Sequence, residues 1–315
     1  MENFFFSVNV VIPLFLMMAA GYVARYFKLV NDSFLSEANK FVFRLALPFM
    51  LFQNIRLTFH GDFPDSKLIL SSLAGIMIVI LVSFIIVPVF VKRPGQKGSI
   101  IQGIYRSNFL IYGIPLATSM YGKEAMGPIS VLMGTTIPAF NIAAVIILSI
   151  YSETENQKLS IKRIMIDIVR NPLIIGCFTG MLFGLLQIKF PSYIDRPIND
   201  LVGIATPLAL FVMGGEFKFK SLRSNIWKVL ATTLARLIIV PTLAMAVFVS
   251  MGFRNLELSA LLCMFATPTA VSSYIMAKNM RCDAELAGQI VVLTTVCSCI
   301  TIFLFVFVLR TMGFL

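Results

Sequence analysis

The sequence predicts an all-α integral membrane protein in which ten transmembrane helices form two inverted five-helix repeats. Three observations support this fold class. The composition is 58% hydrophobic and only 13% charged, whereas soluble domains carry roughly 25% charged residues. Ten apolar stretches approach the length of about 20 residues that a helix needs to cross a bilayer. Proline and glycine positions recur between the two halves of the chain.

Short polar connections separate the ten predicted helices. The longest connection, at 151–167, lies at the midpoint of the chain. We interpret it as a cytoplasmic linker between a first repeat at 1–150 and a second repeat at 168–315. The predicted helices are 4–24, 36–56, 68–91, 98–121, 124–150, 168–188, 196–216, 225–251, 256–277 and 283–311.

The two halves share a pattern of prolines and glycines, most of it at a spacing of 159 residues. For helices 4 and 9 the spacing is 153 residues, which relates Pro115 to Pro268. Because each repeat has an odd number of helices, the second repeat enters the membrane from the opposite side, and the repeat is inverted. The pairs with the longer spacing are Pro13 and Pro172, Gly21 and Gly180, and Pro48 and Pro207.

The basic residues indicate how the chain is oriented. Lys and Arg concentrate in the connections after helices 1, 3, 5, 7 and 9. The positive-inside rule places these connections in the cytoplasm and both termini outside it, in a multi-pass protein of the cell membrane. The net charge of +11 is explained by this topology, and nucleic acid is therefore not an expected partner.

Two of the predicted helices are interrupted. The segments 107–122 and 265–278 each carry a proline, Pro115 and Pro268 respectively. A proline removes a backbone hydrogen bond and frees polar groups at a depth where lipid cannot satisfy them. Two such interruptions at corresponding positions of two repeats indicate a substrate site in a secondary transporter. The alternative is a pair of kinked helices packed in a bundle.

The sequence does not favour an enzyme. The one histidine, His60, lies in a polar connection with Asp62 and Asp65, so a Ser–His pair within the membrane is not available. The sequence contains no HExxH motif, Walker A motif or metal-spaced Cys or His cluster. We expect no cofactor or metal, while coupling to H⁺ or Na⁺ stays open. The five cysteines lie in or beside apolar segments and are expected to be buried thiols.

Six motifs follow one another in helices 2, 4, 6, 7, 8 and 9: LALPFMLF, YRSNFLIYGIPLATSMYG, RNPLIIG, ATPLALFVMGGEF, ARLIIVP and ATPTAVSSYIMAKN. Together they resemble the auxin efflux carrier family of membrane transporters over nearly the whole chain. The short central linker is similar to that of prokaryotic members. The resemblance implies an elevator mechanism, in which helices 3–5 and 8–10 slide against a scaffold of helices 1, 2, 6 and 7. It also implies a homodimer formed through that scaffold.

The substrate site is predicted where helices 4 and 9 cross. Asn108 offers amide donors and an acceptor, which suit a carboxylate or a hydroxyl-bearing acid, and the family resemblance favours this role over an interhelical hydrogen bond. Gly113 would permit close backbone approach. The residues predicted to bind substrate are Asn108, Gly113, Pro115, Thr267, Pro268, Thr269 and Ser272.

Two arginines, Arg106 and Arg236, lie within predicted spans. Each costs roughly 2.5 to 3.5 kcal/mol on insertion scales, so such residues face a cavity or a partner. They could attract an anion or gate the site, or they could have structural roles. Arg106, for example, could pair with Glu216 or extend its charged end toward the cytoplasm. The acidic residues all fall at helix ends or in connections, which argues against a sodium/proton antiporter.

These observations lead to a functional hypothesis: a secondary active transporter, or permease, for small organic anions such as mono- or dicarboxylates. One alternative is an ion-coupled carrier of another amphipathic solute, similar to auxin or a bile acid. Another is a membrane sensor or channel that shares the fold without transporting.

Overall fold

The computed structural model describes residues 2–58, 66–153, 161–217 and 219–315, and these residues are almost entirely helical. His60, Asp62 and Asp65 lie outside the described residues, as do residues 154–160 of the predicted linker. The helices of the first half are α1 (Glu2–Tyr26), α2 (Asp32–Phe41), α3 (Leu47–Thr58), α4 (Ser66–Phe90), α5 (Pro94–Tyr105), α6 (Phe109–Tyr121) and α7 (Met126–Ile150). Those of the second half are α8 (Ile161–Arg170), α9 (Pro172–Leu185), α10 (Ser192–Glu216), α11 (Phe219–Leu234), α12 (Val240–Ser250), α13 (Asn255–Ala266), α14 (Ser272–Asn279) and α15 (Ala284–Thr311).

Side-chain caps define where several helices begin. Asn31 accepts a hydrogen bond from the Phe34 N–H at 2.8 Å and starts α2. Asn171 accepts from the Leu173 N–H at 2.9 Å, with a proline at the first position of α9. These side chains satisfy backbone donors that have no partner within the helix. Two π-helical turns, Val42–Ala46 and Ala235–Ile239, join α2 to α3 and α11 to α12 without interrupting the rods.

Five helical segments of the described chain are long and apolar enough to cross a membrane: α4, α7, α10, Asn225–Ser250 and α15. α8 and α9 are separated by a short break at which the chain bends by 56°. Counted together, they are long and apolar enough to form a sixth span. Other predicted spans appear as shorter apolar helices, such as Ile12–Tyr26 and Asn255–Ala266. The predicted all-α membrane protein is confirmed at this level.

Glycines bring α1 against α10 and α9 against α3. A Cβ atom built on Gly21 would lie 1.9 Å from the carbonyl oxygen of Phe211, and one built on Gly180 would lie 2.7 Å from that of Phe52. Only glycine allows backbones to approach this closely. Both glycines and both phenylalanines are separated by 159 residues, so the two contacts match each other across the halves of the chain.

The most buried helices are α5 and α13, which lie at the centre of the remaining helices. Nearly every residue of α5 is buried, and so is the segment from Leu258 to the end of α13. The five cysteines are free thiols that are buried or half-buried. Burial raises the pKa of the Cys282 thiol, in the turn before α15, to about 12, so this thiol stays protonated.

The interruptions of helices 4 and 9 differ in how well they were predicted. Pro268 lies in an unwound segment between α13 and α14, as expected. Pro115 lies inside α6, and the chain unwinds earlier, at Arg106, Ser107 and Asn108. The break expected at Pro115 is therefore wrong in position. The spacing of 153 residues between the two prolines does not relate equivalent points of the two breaks.

Candidate functional site

The two unwound segments cross and bond to each other. The Asn108 N–H donates to the Pro268 carbonyl at 2.7 Å, and the Ala270 N–H donates to the Arg106 carbonyl at 3.1 Å. Ser107 and Thr269 form an isolated antiparallel bridge between them. Groups freed by the breaks thus satisfy one another inside the protein, which is the condition for irregular backbone within a bilayer.

Arg236 lies beside this crossing and bonds to both of the helices that end there. Its guanidinium donates to the carbonyls of Ile104 at 3.1 Å and Tyr105 at 3.3 Å, at the end of α5. It also donates to Met264 at 3.2 Å and to Thr267 at 2.7 and 2.9 Å, at the end of α13. A cation here complements the partial negative charge at two helix C-termini. These contacts favour the structural interpretation of Arg236 over a gating one.

Thr269 also holds the crossing together. Its hydroxyl donates to the Gly103 carbonyl at 2.7 Å, and its N–H donates to the Thr294 hydroxyl at 3.2 Å. The neighbouring Thr267 side chain is buried, and its hydroxyl has no hydrogen-bond partner within the described chain. Thr267, Pro268 and Thr269 lie outside the lining of the adjacent cavity. Their predicted role in binding substrate stays a prediction.

On the other side of the crossing, α6 and α14 begin at a cavity of about 60 Å³. The N-terminal ends of helices favour anions because their backbone N–H groups and dipoles point outward. Of the predicted residues, Asn108, Ser272 and Arg106 line the cavity. Its polar lining consists of Arg106, Ser107, Asn108, Asn141, Thr206 and Ser272.

Asn108 is buried, with 5% of its surface exposed, and its amide nitrogen has no hydrogen-bond partner within the described residues. The Ser107 hydroxyl beside it is unpaired in the same sense. A buried donor without a partner costs about 1–3 kcal/mol. Both side chains line the cavity, so a ligand with acceptor oxygens would satisfy them.

Arg106 is held by amide side chains rather than by an acid. Its Nη2 donates to Asn141 Oδ1 at 2.7 Å. In the amide orientation that satisfies both groups, Gln102 accepts from its Nη1 at 2.9 Å. No ion pair involving Arg106 occurs within the described ranges. This leaves a buried positive charge at the cavity that no carboxylate of the described residues pairs with.

Glu216 does not pair with Arg106. At the end of α10 it accepts hydrogen bonds from the Tyr274 hydroxyl and from Lys278 Nζ, both on α14. This ion pair links α10 to α14 beside a second cavity of about 550 Å³. The pairing of Arg106 with Glu216, one of the alternatives considered above, is therefore wrong.

The geometry is that of a buried cavity between broken helices, lined by one arginine and several neutral polar side chains. Comparison with known proteins shows which family has this architecture. The family model described as "Membrane transport protein" matches residues 6–306. The chain belongs to this family, the auxin efflux carrier family. Its members are membrane transporters and not enzymes, so this chain is a multi-pass membrane transporter. The predicted resemblance is confirmed.

Three relatives show how far the similarity of this auxin efflux carrier family member extends. An uncharacterized transporter of Methanocaldococcus jannaschii is 22% identical over 96% of this chain and 98% of its own length. A Rhizobium meliloti protein named "Putative malonate transporter" is 22% identical over 96% of both chains. Auxin efflux carrier component 8 of Arabidopsis thaliana is 32% identical over 38% of this chain and 34% of its own.

Two further residues predicted to bind substrate, Gly113 and Pro115, are not among the residues found to line the cavity, and two that line it were not predicted. A Cβ atom on Gly113 would meet the Phe109 ring at 2.7 Å, so Gly113 makes room for a side chain of its own helix and lies outside the cavity lining. The Pro115 side chain is outside the described part of the chain. Asn141 and Thr206 line the cavity and were not predicted. A polar residue in an apolar helix is a signal that could have identified both.

Proposed function

We propose that this membrane transporter is a secondary active carrier of small organic anions, mono- or dicarboxylates, which bind in the cavity at the crossing. The observation that carries the proposal is Arg106, a buried cation at a cavity where two helices begin. Beside it, the unpaired Asn108 amide offers a donor to a carboxylate oxygen. Charge-assisted hydrogen bonds of this kind are among the strongest in proteins.

The architecture behind the proposal is ten transmembrane segments in two inverted repeats, 1–150 and 168–315. The matched contacts of Gly21 with Phe211 and Gly180 with Phe52 support it, because an inverted repeat produces each contact twice. The positive-inside rule supports placing both termini outside the cytoplasm.

The composition of the cavity walls supports an elevator mechanism. One wall comes from the unwound segments, α6, α7 and α14, which belong to the proposed moving domain. The other wall comes from α3, α9 and α10, which belong to the proposed scaffold. A site between the two bodies can be carried from one side to the other when they slide, as alternating access requires. We further propose that the scaffold forms a homodimer.

The name of the Rhizobium meliloti relative supports a carboxylate substrate. Gradients of H⁺ or Na⁺ are the candidate energy sources, and the experiment below separates them. A sensor or a channel on the same fold is the competing function.

Counterflow in proteoliposomes tests the proposal. Purified protein is reconstituted with each of a panel of unlabelled carboxylates inside, and uptake of the labelled acid is followed with pH and sodium gradients imposed separately. Saturable counterflow of at least one acid is expected. Non-saturable flux without counterflow would indicate a channel, and binding without flux would indicate a sensor. Either result would contradict a carrier.

A further inference from the structure

We infer that the cavity selects a monoanion, a single carboxylate with an apolar remainder, over a dicarboxylate of the same carbon skeleton. This inference rests on the proposed function and narrows it. It also differs from what the name of the malonate-related protein alone would suggest.

The first support is the number of charges. Among the residues found to line the cavity, Arg106 is the ionisable one, and the others are apolar or neutral polar. A buried carboxylate is stable when a cation or several donors compensate its charge, and it is strongly disfavoured without them. One guanidinium compensates one carboxylate, and a second carboxylate in the same cavity would lack a cation.

The second support is the uneven distribution of polar groups around the cavity. The charged and amide groups, Arg106, Asn108 and Asn141, stand on the wall that contains the crossing and α7. The opposite wall is apolar apart from Thr206, whose hydroxyl lies 3.7 Å from Met50 Sδ. A ligand whose carboxylate faces the crossing therefore presents its other end to hydrocarbon. The residues of that wall are Leu47, Met50, Leu51, Leu173, Thr206 and Ala209.

The third support is a buried donor, the Asn108 amide, that is available to bond a carboxylate. The Asn108 side chain is more than nine-tenths buried, and its amide nitrogen has no partner within the part of the chain that is described. The Arg106 guanidinium is oriented by Asn141 and Gln102. Arg106, Asn108 and Asn141 all line the wall formed by the crossing and α7, so specificity for charge is expected at that wall only.

The test compares acids that differ by one charge. Butyrate, succinate and monomethyl succinate are used as competitors in the counterflow assay and as ligands of the purified protein. The last of these keeps the succinate skeleton but masks one carboxylate. Butyrate and monomethyl succinate are expected to bind about tenfold or more tightly than succinate at neutral pH. Inhibition by succinate should strengthen as the pH falls from neutral toward about 4 to 5, the range in which carboxylates take up protons. Succinate that has taken up one proton is a monoanion.

A second cation on the apolar wall should reverse the preference. Met50→Lys places an ammonium opposite Arg106, and succinate is then expected to bind more tightly than its monomethyl ester. Met50→Gln, which adds polarity without charge, is the matched control and should keep the wild-type order.

The outcomes separate the two proposals. If succinate binds the wild-type protein as tightly as its monomethyl ester, the selectivity inference is wrong and the carrier function stands. If the wild-type protein neither binds nor exchanges any carboxylate of the panel, both proposals are wrong. Because the wild-type comparison does not depend on a variant, a Met50→Lys protein that fails to fold leaves the test decisive.

Discussion

The guanidinium of Arg236 donates two hydrogen bonds to the carbonyl oxygen of Thr267, at 2.7 and 2.9 Å. Thr267 is the residue at which α13 ends and the chain unwinds. The same guanidinium reaches the end of α5 through the Ile104 carbonyl. One buried side chain thus fixes both half-helices where their backbone hydrogen bonding stops. The crossing is stabilised by a tertiary contact and not by local sequence alone.

Arg236→Met is expected to lower the thermal stability of the purified protein by several degrees. The substitution leaves buried carbonyls without donors, at about 1–3 kcal/mol for each unsatisfied group. Arg236→Lys should recover part of the loss because an ammonium reaches fewer of the acceptors. Thermal unfolding in detergent measures both. Arg254→Met is the control, since exposed Arg254 also bonds carbonyls, those of Val249 and Phe253, and a small effect is expected. A wild-type melting temperature for Arg236→Met would contradict this role.

Gly21→Ala and Gly180→Ala are each expected to destabilise the protein by about 1–3 kcal/mol, as overpacking does. The added Cβ would meet the carbonyl oxygens of Phe211 and Phe52 closer than atoms can pack. Gly203→Ala is the control because nothing lies within 4 Å of a Cβ at Gly203, and its helix should tolerate or favour alanine. Similar losses at the two glycines would support the inverted repeat. A neutral result at one of them would argue against equivalent packing.

Removing the Glu216–Lys278 ion pair is expected to change the counterflow rate severalfold while altering stability little. The pair joins α10 to α14, and its side chains are 24% and 25% exposed, so its net contribution to stability is about 1 kcal/mol or less. If α14 moves against α10 during transport, this contact must break and re-form. Glu216→Gln and Lys278→Met should therefore have similar effects that are not additive in the double variant.

The control for that experiment is Lys40→Met, which removes the exposed pair with Glu37. Both residues lie on α2, so no movement between bodies is involved. An equal change of rate in the control, or additive effects of the two α10–α14 variants, would contradict a contact between moving parts.

Helix positions were largely predictable because apolar length and polar connections are local properties. The site of the first break was not. Pro115 suggested a break, yet α6 continues through it. The chain instead unwinds at Arg106, Ser107 and Asn108, where neither proline nor glycine occurs. That break depends on partners far away in sequence, Pro268 and Ala270, which no local pattern shows.

The candidate site was predictable in part for the same reason. Asn108, Ser272 and Arg106 were recognised as polar or charged residues in apolar segments, and they line the cavity. Asn141 carries the same signal in α7 but was not predicted, because an asparagine in a membrane helix is equally typical of an interhelical hydrogen bond. The role of Arg236 depended on knowing which carbonyls are freed, and this required the crossing itself.

The central claim is that the cavity at the crossing binds the transported carboxylate. The most direct test is the affinity of Asn108→Ala for the acid that shows counterflow with the wild-type protein. Asn279→Ala serves as the control, because Asn279 bonds the Ile275 carbonyl of its own helix at 2.7 Å and lies outside the cavity lining. A charged-group hydrogen bond contributes about 1.5–3 kcal/mol, so Asn108→Ala should weaken binding by about tenfold or more, with melting temperature unchanged and Asn279→Ala like wild type. Unchanged affinity in Asn108→Ala would contradict the placement of the substrate at this crossing.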